Sequence, residues 1–189
     1  MADGTDVPAG ATGNLQLIIF AGLPGTGKSS LAEAAGRALG IPVFAKDWLE
    51  GVLVRCQLQP KTADGPSLGF ASYELLTTLA ERQLRLGQSV ILDSVAGTQT
   101  IRAQWQDLAV RHSAVWRVIE CICSDEPAHR ARLNGRVRGI PGWHELTWAD
   151  VESVAANYAP WHEPRLVMDA VQPLSDNIAA VLRYLAPVP

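Results

Sequence analysis

Apolar residues in this chain gather into short strand-length runs separated by stretches with helical spacing. Residues 15–21 form such a run, broken only by Gln16, and further runs occur at 42–45, 89–95, 115–123 and 166–169. Between them the 3.6-residue period predicts helices. The first covers Lys28–Leu39 and stops at Gly40, and the next begins at about Asp47. A long helix is expected over 70–86, with Leu75, Leu76, Leu79 and Leu86 on its apolar side and Gly87 as its stop. Further helices are expected at 98–112, from Ser124 to about 134, at 147–158 and at Leu174–Leu185. Ser124 reads as an N-cap, with Asp125 and Glu126 in the first turn where the helix dipole favours them. Residues 59–68 hold two prolines and a glycine and read as a loop. Residues 1–14 lack periodicity and read as a disordered tail, leaving 15–189 as one domain. Strands alternating with helices imply an α/β fold, a parallel sheet covered on both faces, with ligands beyond the carboxyl ends of the strands.

The turn after the first strand carries the sharpest chemical signal. Gly22-Leu23-Pro24-Gly25-Thr26-Gly27-Lys28-Ser29 matches G-x-x-x-x-G-K-[ST] without a departure. Glycines there permit torsions that point successive N–H groups inward, forming an anion nest at the start of a helix. Lys28 is expected to reach the β- and γ-phosphates of ATP, with Ser30 beside the nest and the Ser29 hydroxyl on Mg²⁺. A random chain of this length matches the pattern roughly once in a hundred cases, and seldom between a strand and a helix.

Two carboxylates follow later strands. Asp47 comes just after the second and Asp93 closes the apolar run of the third, so a parallel sheet brings both to the edge that carries the phosphate nest. Asp93 is expected to hold Mg²⁺ or substrate, because a charge in an apolar strand needs a partner. Asp47 is expected to accept the proton of an attacking hydroxyl; as a helix N-cap it would be structural instead. Arg130, Arg132, Arg136 and Arg138 crowd a helix end and the glycine-rich loop after it, 135–142. Guanidinium groups on a lid of about 130–145 suit the charge that spreads over a transferring phosphoryl group, and Arg132 and Arg136 are the favoured pair. A solvated charge run at a helix C-terminus is the bland alternative.

Composition narrows the field. Apolar residues make up 48% and charged residues 19%, an ordinary globular balance, and the net charge is −3. Nucleic-acid binders usually present a basic face, so a nucleic-acid partner is disfavoured. Three cysteines cannot all pair; Cys121 and Cys123 stand two apart on one strand face and read as reduced core residues, with no zinc site expected. The longest apolar run is too short to span a bilayer and no secretory leader is apparent, so a cytoplasmic protein is expected. Trp143, Trp148, Tyr158 and Trp161 read as packing residues of the lid, and His129, His144 and His162 show no partner at catalytic spacing.

Several of these runs together resemble the small P-loop kinases of the AAA-33 or zeta-toxin-like group, which includes chloramphenicol phosphotransferase, gluconate kinase and the kinase half of polynucleotide kinase. The resemblance rests on residues 22–29, Lys46-Asp47, 87–93 with Arg102 and Trp105, 123–125 with Arg132 and Arg136, and 158–164 before 166–169. It covers about 15–187 and implies a three-layer fold with strand order 2-3-1-4-5. It implies that Asp47 meets the acceptor hydroxyl, with Asp93 and Arg102 also on the substrate. It implies that Arg132 and Arg136 are lid arginines and that the loop from Asp169 to Pro173, with Val171, borders adenine. Trp48 departs from the pattern, since many relatives carry a second acidic residue there.

The expected activity is transfer of the γ-phosphate of ATP to a hydroxyl of a small molecule, with Lys28, Asp47, Arg132 and Arg136 catalytic. A polynucleotide 5′-hydroxyl kinase is the alternative within that class. A nucleotide-driven switch or motor and a non-catalytic ATP-binding protein are the alternatives outside it; no N-K-x-D guanine reader occurs, and 189 residues leave little room for a motor's extra helical domain.

Overall fold

A computed structural model describes residues 15–58 and 67–186. Its elements in chain order are β1 Gln16–Ala21, α1 Lys28–Leu39, β2 Val43–Ala45, α2 Lys46–Arg55, α3 Leu68–Arg85, β3 Val90–Asp93, α4 Gln99–Arg111, β4 Val115–Ile122, α5 Glu126–Asn134, α6 Trp148–Ala156, β5 Leu166–Asp169 and α7 Leu174–Leu185. The strands form one parallel sheet in the order β2-β3-β1-β4-β5. This is the order that the family resemblance implies.

Every residue of β1 is buried, because strands flank it on both sides and helices cover both faces. Its polar exception, Gln16, is half satisfied: its side-chain amide N–H donates to the Leu185 carbonyl at 3.1 Å, while its Oε1 finds no partner among the described residues. Alternation sends Leu17 and Ile19 to one core with Leu76, Ala80 and Trp105, and Ile18 and Phe20 to the other with Leu31, Ala35 and Val181. Helices α3 and α4 therefore cover one face, α1 and α7 the other. Register then fixes chemistry: Asp93 lies level with Phe20 on β1 and with Ala45 on β2, so the ends of all three strands open onto one edge.

Local departures from expectation have local causes. The expected tail falls outside the described residues, as does most of the 59–68 loop. At the end of that loop Ser67 caps α3, its Oγ accepting from the Phe70 N–H at 3.1 Å, so the helix starts two residues early. The buried stripe of α3 is Leu76, Ala80 and Leu84 with Ser72 and Thr77; Leu75 and Leu86 are exposed. Hydroxyls are tolerated on this stripe because each donates within the helix, Ser72 to the Leu68 carbonyl and Thr77 to that of Tyr73. Thr77 Oγ1 also accepts from the Trp105 indole at 2.8 Å. Helix α5 is capped by Asp125 rather than Ser124, with the Asp125 carboxylate accepting from the Ala128 N–H. Ser124 instead donates its N–H to Asp169 and ties β4 to β5.

All three cysteines are free; Cys121 is buried, its thiol pushed up to about 12 by burial, while Cys123 is half-buried just past the end of β4. None of the described helices is long and apolar enough to cross a membrane.

Candidate active site

Between β1 and α1 the chain must turn sharply and expose main-chain donors, and three glycines allow it. Gly22, Gly25 and Gly27 take φ values of 136°, 87° and 81°, which side chains disfavour. The turn closes on itself through the Leu23 carbonyl, which accepts from Thr26 Oγ1 at 2.8 Å and from Lys28 Nζ at 3.4 Å. Gly22 donates its N–H to the Val95 carbonyl and so pins the turn to the strand-three edge. Gly27 caps α1 without a side chain, leaving the first-turn N–H groups facing the cleft. Lys28, only 5% exposed, is held in that concavity without a carboxylate partner.

A residue without a sequence-predicted role braces this loop. His129 on α5 is buried, with Nε2 2.7 Å from the Pro24 carbonyl and its ring edge-on to Trp148 of α6. A Cβ at Gly25 would come within 2.9 Å of the same nitrogen, so the imidazole and the bare glycine fit each other. No local spacing reveals this contact, since the partners are 105 residues apart. The one legible trace is that His129 and Leu133, one turn apart, form the buried stripe of α5.

Asp93 is 4% exposed and its Oδ1 has no partner among the described residues. Burial raises its pKa, against the pull of the Lys28 charge and the nearby Ser29 hydroxyl. An orphaned buried carboxylate oxygen next to a serine hydroxyl is a hard oxygen-donor pair. It fits Mg²⁺, which takes one or two protein oxygens and fills its octahedron with phosphate and water.

Asp47 stands in the first turn of α2, but the N-cap position belongs to Ala45, so its carboxylate is free for other work. It accepts a hydrogen bond from Arg138 Nη1. Beside it Lys46 pairs with Glu50 and lies over the rings of Tyr73 and Trp143 at 5.4 and 5.7 Å. Backbone packing secures the same junction. A Cβ at Gly142 would strike the Gly51 carbonyl and Arg55, so the 135–147 segment sits directly against α2.

The arginine cluster divides. Arg132, Arg136 and Arg138 line a cleft of about 490 Å³ together with Gly25, Thr26, Gly27, Lys28, Ser29 and Ser30. Arg130 turns away, pairing with Glu126 at 2.8 Å and lying over Trp148 at 4.1 Å. Because α5 ends at Asn134, Arg136 reaches the cleft from the loop rather than from a continued helical face. Burial, and then the charge of Arg138, holds the Arg136 guanidinium below its usual pKa, while Asp47 draws it back.

Other expected site residues are placed differently. Gly22, Leu23 and Pro24 build the loop but do not line the cleft. Beyond β5 the cleft is bordered by Ala170, Gln172, Leu174 and Asn177, the neighbours of Val171 and Pro173. Val171 donates its N–H to the Asp169 carboxylate, and Pro173 occupies the N-cap of α7. Arg102 is not brought to the cleft at all. It is fully buried, its three guanidinium nitrogens donating to the carbonyls of Ala96, Pro160 and Ala159 at 2.8–2.9 Å, with its plane over Trp161 at 3.7 Å. Its role is to clamp the 158–161 segment onto the loop after β3. Glu120 extends that bracket, accepting from Arg165 at 2.5 Å and from Tyr158 at 3.1 Å.

Known proteins share this fold. A kinase-assigned protein from Chloroflexus aurantiacus J-10-fl is 23% identical with a TM-score of 0.71, over 92% of this chain and 100% of that one. A gluconokinase from Sinorhizobium meliloti 1021 is 18% identical with a TM-score of 0.65, over 90% of this chain and 91% of that one. The Mycobacterium tuberculosis APS kinase solved with AMPPNP and APS is 19% identical with a TM-score of 0.60, over 92% and 98%. At these identities the likeness is one of fold. No curated protein matches. The AAA domain family known as AAA_33 matches residues 17–160, from the first buried strand through the P-loop, both carboxylates and Arg132, Arg136 and Arg138 to the clamped Pro160. The chain belongs to that family.

Proposed function

We propose that this protein is an ATP- and Mg²⁺-dependent phosphotransferase that moves the γ-phosphate to a hydroxyl of a small molecule. One observation carries the reading: Lys28, the Ser29–Asp93 pair and Arg132, Arg136 and Arg138 meet at one end of the sheet, with Asp47 beside Arg138. That is a set of fixed positive groups around a phosphate nest with a carboxylate at its rim, which suits phosphoryl transfer by positioning and electrostatics. Kinases among the structural neighbours, including one solved with AMPPNP, support it.

The nest N–H groups and Lys28 hold the polyphosphate. Ser29 and Asp93 would hold Mg²⁺, which when bound neutralises charge on the phosphate oxygens. Arg132 and Arg136 face the transferring group from the other wall, and Ala170, Gln172 and Leu174 border the base. Asp47 orients the acceptor hydroxyl and takes its proton. Because Arg138 occupies the Asp47 carboxylate, the 130–145 segment acts as a lid whose movement frees Asp47 for the acceptor. The free cysteines fit a reducing, cytoplasmic setting.

Titration calorimetry with Mg²⁺–ATP and ADP release across a panel of alcohols test the reading. Binding in the micromolar range and acceptor-dependent ADP release are expected. A folded protein that evolves no heat with any nucleoside triphosphate would end it.

A further inference from the structure

A second cavity of about 360 Å³ opens beside the phosphate cleft, sharing Glu33, Trp48 and Arg138 with it. Its floor and walls are Val43 and Phe44 of the edge strand β2 and Trp48 and Leu49 of α2, while Asp93 marks the end nearest the phosphate nest. Trp48 is 51% exposed, an indole left standing between the two spaces. We propose that this cavity is the acceptor pocket and that it takes an uncharged alcohol with a flat apolar body, such as an aryl alcohol, rather than a sugar acid or a nucleotide. The proposal deepens the phosphotransferase reading and depends on it for the chemistry, though not for binding.

Two independent observations support the class. The first is the lining: Val43, Phe44, Ala45, Trp48 and Leu49 supply most of the surface, and the charged groups on it are Glu33, Asp93 and Arg138. A polyol needs donors and acceptors around its whole rim, since each hydroxyl that loses water without a partner opposes binding. Phe44, Leu49 and Trp48 offer a ring or alkyl body area and a face to stack on, not hydrogen bonds.

The second is charge. Of the charged groups that line this space, the cation Arg138 is paired with Asp47, while Glu33 contributes a carboxylate. Asp93 adds a further carboxyl at the inner end. An anionic acceptor would face the Glu33 and Asp93 carboxylates as it approached, which opposes both encounter and binding. A hydroxyl borne by an uncharged body meets neither penalty. Seated with its ring against Trp48, such a molecule carries its hydroxyl toward the Asp93 and Arg138 end, where the two cavities join.

Saturation-transfer NMR separates the possibilities, using phenylethanol and gluconate as probes, each with and without a non-hydrolysable ATP analogue and Mg²⁺. Phenylethanol is expected to show transfer. Trp48→Ala, a change at a half-exposed position that leaves the core intact, should weaken that binding about tenfold, and Trp48→Phe should recover most of it. Gluconate should show none. Gluconate binding that Trp48→Ala abolishes, or a folded wild type that gives no phenylethanol transfer in either nucleotide state, would overturn the assignment. The analogue's own titration reports separately on the phosphotransferase reading: phenylethanol bound at Trp48 with no analogue binding keeps the pocket and removes the kinase.

Discussion

The two ends of the site are held by different kinds of force. At the phosphate end, backbone does the holding: glycine torsions, the Leu23 and Pro24 carbonyls, and the Gly22 N–H on Val95, with His129 as a buried brace. At the acceptor end the 135–147 segment is secured by side-chain charge, through Arg138 on Asp47 and the Arg138 N–H on Glu145 at 2.7 Å, and by the close approach of Gly142 to Gly51. Backbone cradles resist deformation because every bond is short-range and directional. Ion pairs at partly exposed sites exchange more readily with water and ligand. The two ends therefore differ in how they are held: a nest fixed by backbone geometry and a 135–147 segment fixed by ion pairs and one close backbone contact.

The largest effect is expected from removing charge at the rigid end. Lys28→Ala should lower turnover by about 10²–10³-fold or more at saturating ATP, as loss of a preorganised charge-stabilising group does elsewhere. ADP release with a known acceptor measures it, and a residual rate above a tenth of wild type would mean that Lys28 does not face the transferring phosphate. Asp47→Asn should follow, with a loss of about 10²-fold in kcat and an ATP affinity within about twofold of wild type. Equal loss of ATP affinity would instead make Asp47 a lid anchor alone.

Legibility follows the same division. The nest was readable because its chemistry needs particular residue types at fixed spacing, all within residues 22–29. Strand order came from the family likeness, and Asp93 was visible because a carboxylate ends an otherwise apolar strand. What sequence could not disclose were contacts across the chain. His129 meets Pro24 through the fold alone, and Arg102 looks like a ligand-seeking cation until its three carbonyl partners are seen. The buried stripe of α3 was misplaced because runs of leucine satisfy more than one helical face, and Trp105 selects the one containing Thr77. Side chains at the acceptor end follow no fixed spacing, so neither the Arg138–Asp47 pair nor the pocket under Trp48 has a motif.

His129 links the two regions, since it ties the phosphate nest to α5, the helix that leads into the loop bearing Arg136 and Arg138. His129→Ala should weaken ATP about five- to tenfold and lower stability by about 1–3 kcal/mol, the cost of an unsatisfied buried carbonyl. His129→Gln, whose amide can donate to the same Pro24 oxygen, should recover most of the ATP affinity. A Gln variant no better than Ala would show that packing against Trp148, and not the hydrogen bond, is what matters. Arg138→Ala tests the mobile end. Its pair with Asp47 is neither exposed nor fully buried, so loss should cost about 1–3 kcal/mol locally. Amide exchange across 135–147 should speed up by about 5- to 100-fold while the P-loop amides stay unchanged; exchange that rises equally in both regions would erase the distinction between them.

The smallest effect has the opposite sign. Asp93 is buried with a raised pKa, so in the absence of ligand the folded state holds its proton more tightly than the unfolded chain does. Stability from this group is therefore fully present below the unfolded value and falls as pH rises through the interval up to the raised folded value, because the native state then binds the extra proton. Above that interval the folded protein carries a buried carboxylate whose desolvation the Lys28 charge offsets only in part. Asp93→Asn removes the charge without changing the shape, so at neutral pH the ligand-free variant should melt higher, by about 2–4 °C for each kcal/mol gained in a chain of this size. Added Mg²⁺–ATP should then stabilise wild type more than the variant, because only wild type offers the carboxylate oxygen. A variant that melts lower than wild type at pH 7, and no closer to it at pH 5, would mean that Asp93 is already compensated in the free protein. The metal would then have to be sought at another oxygen.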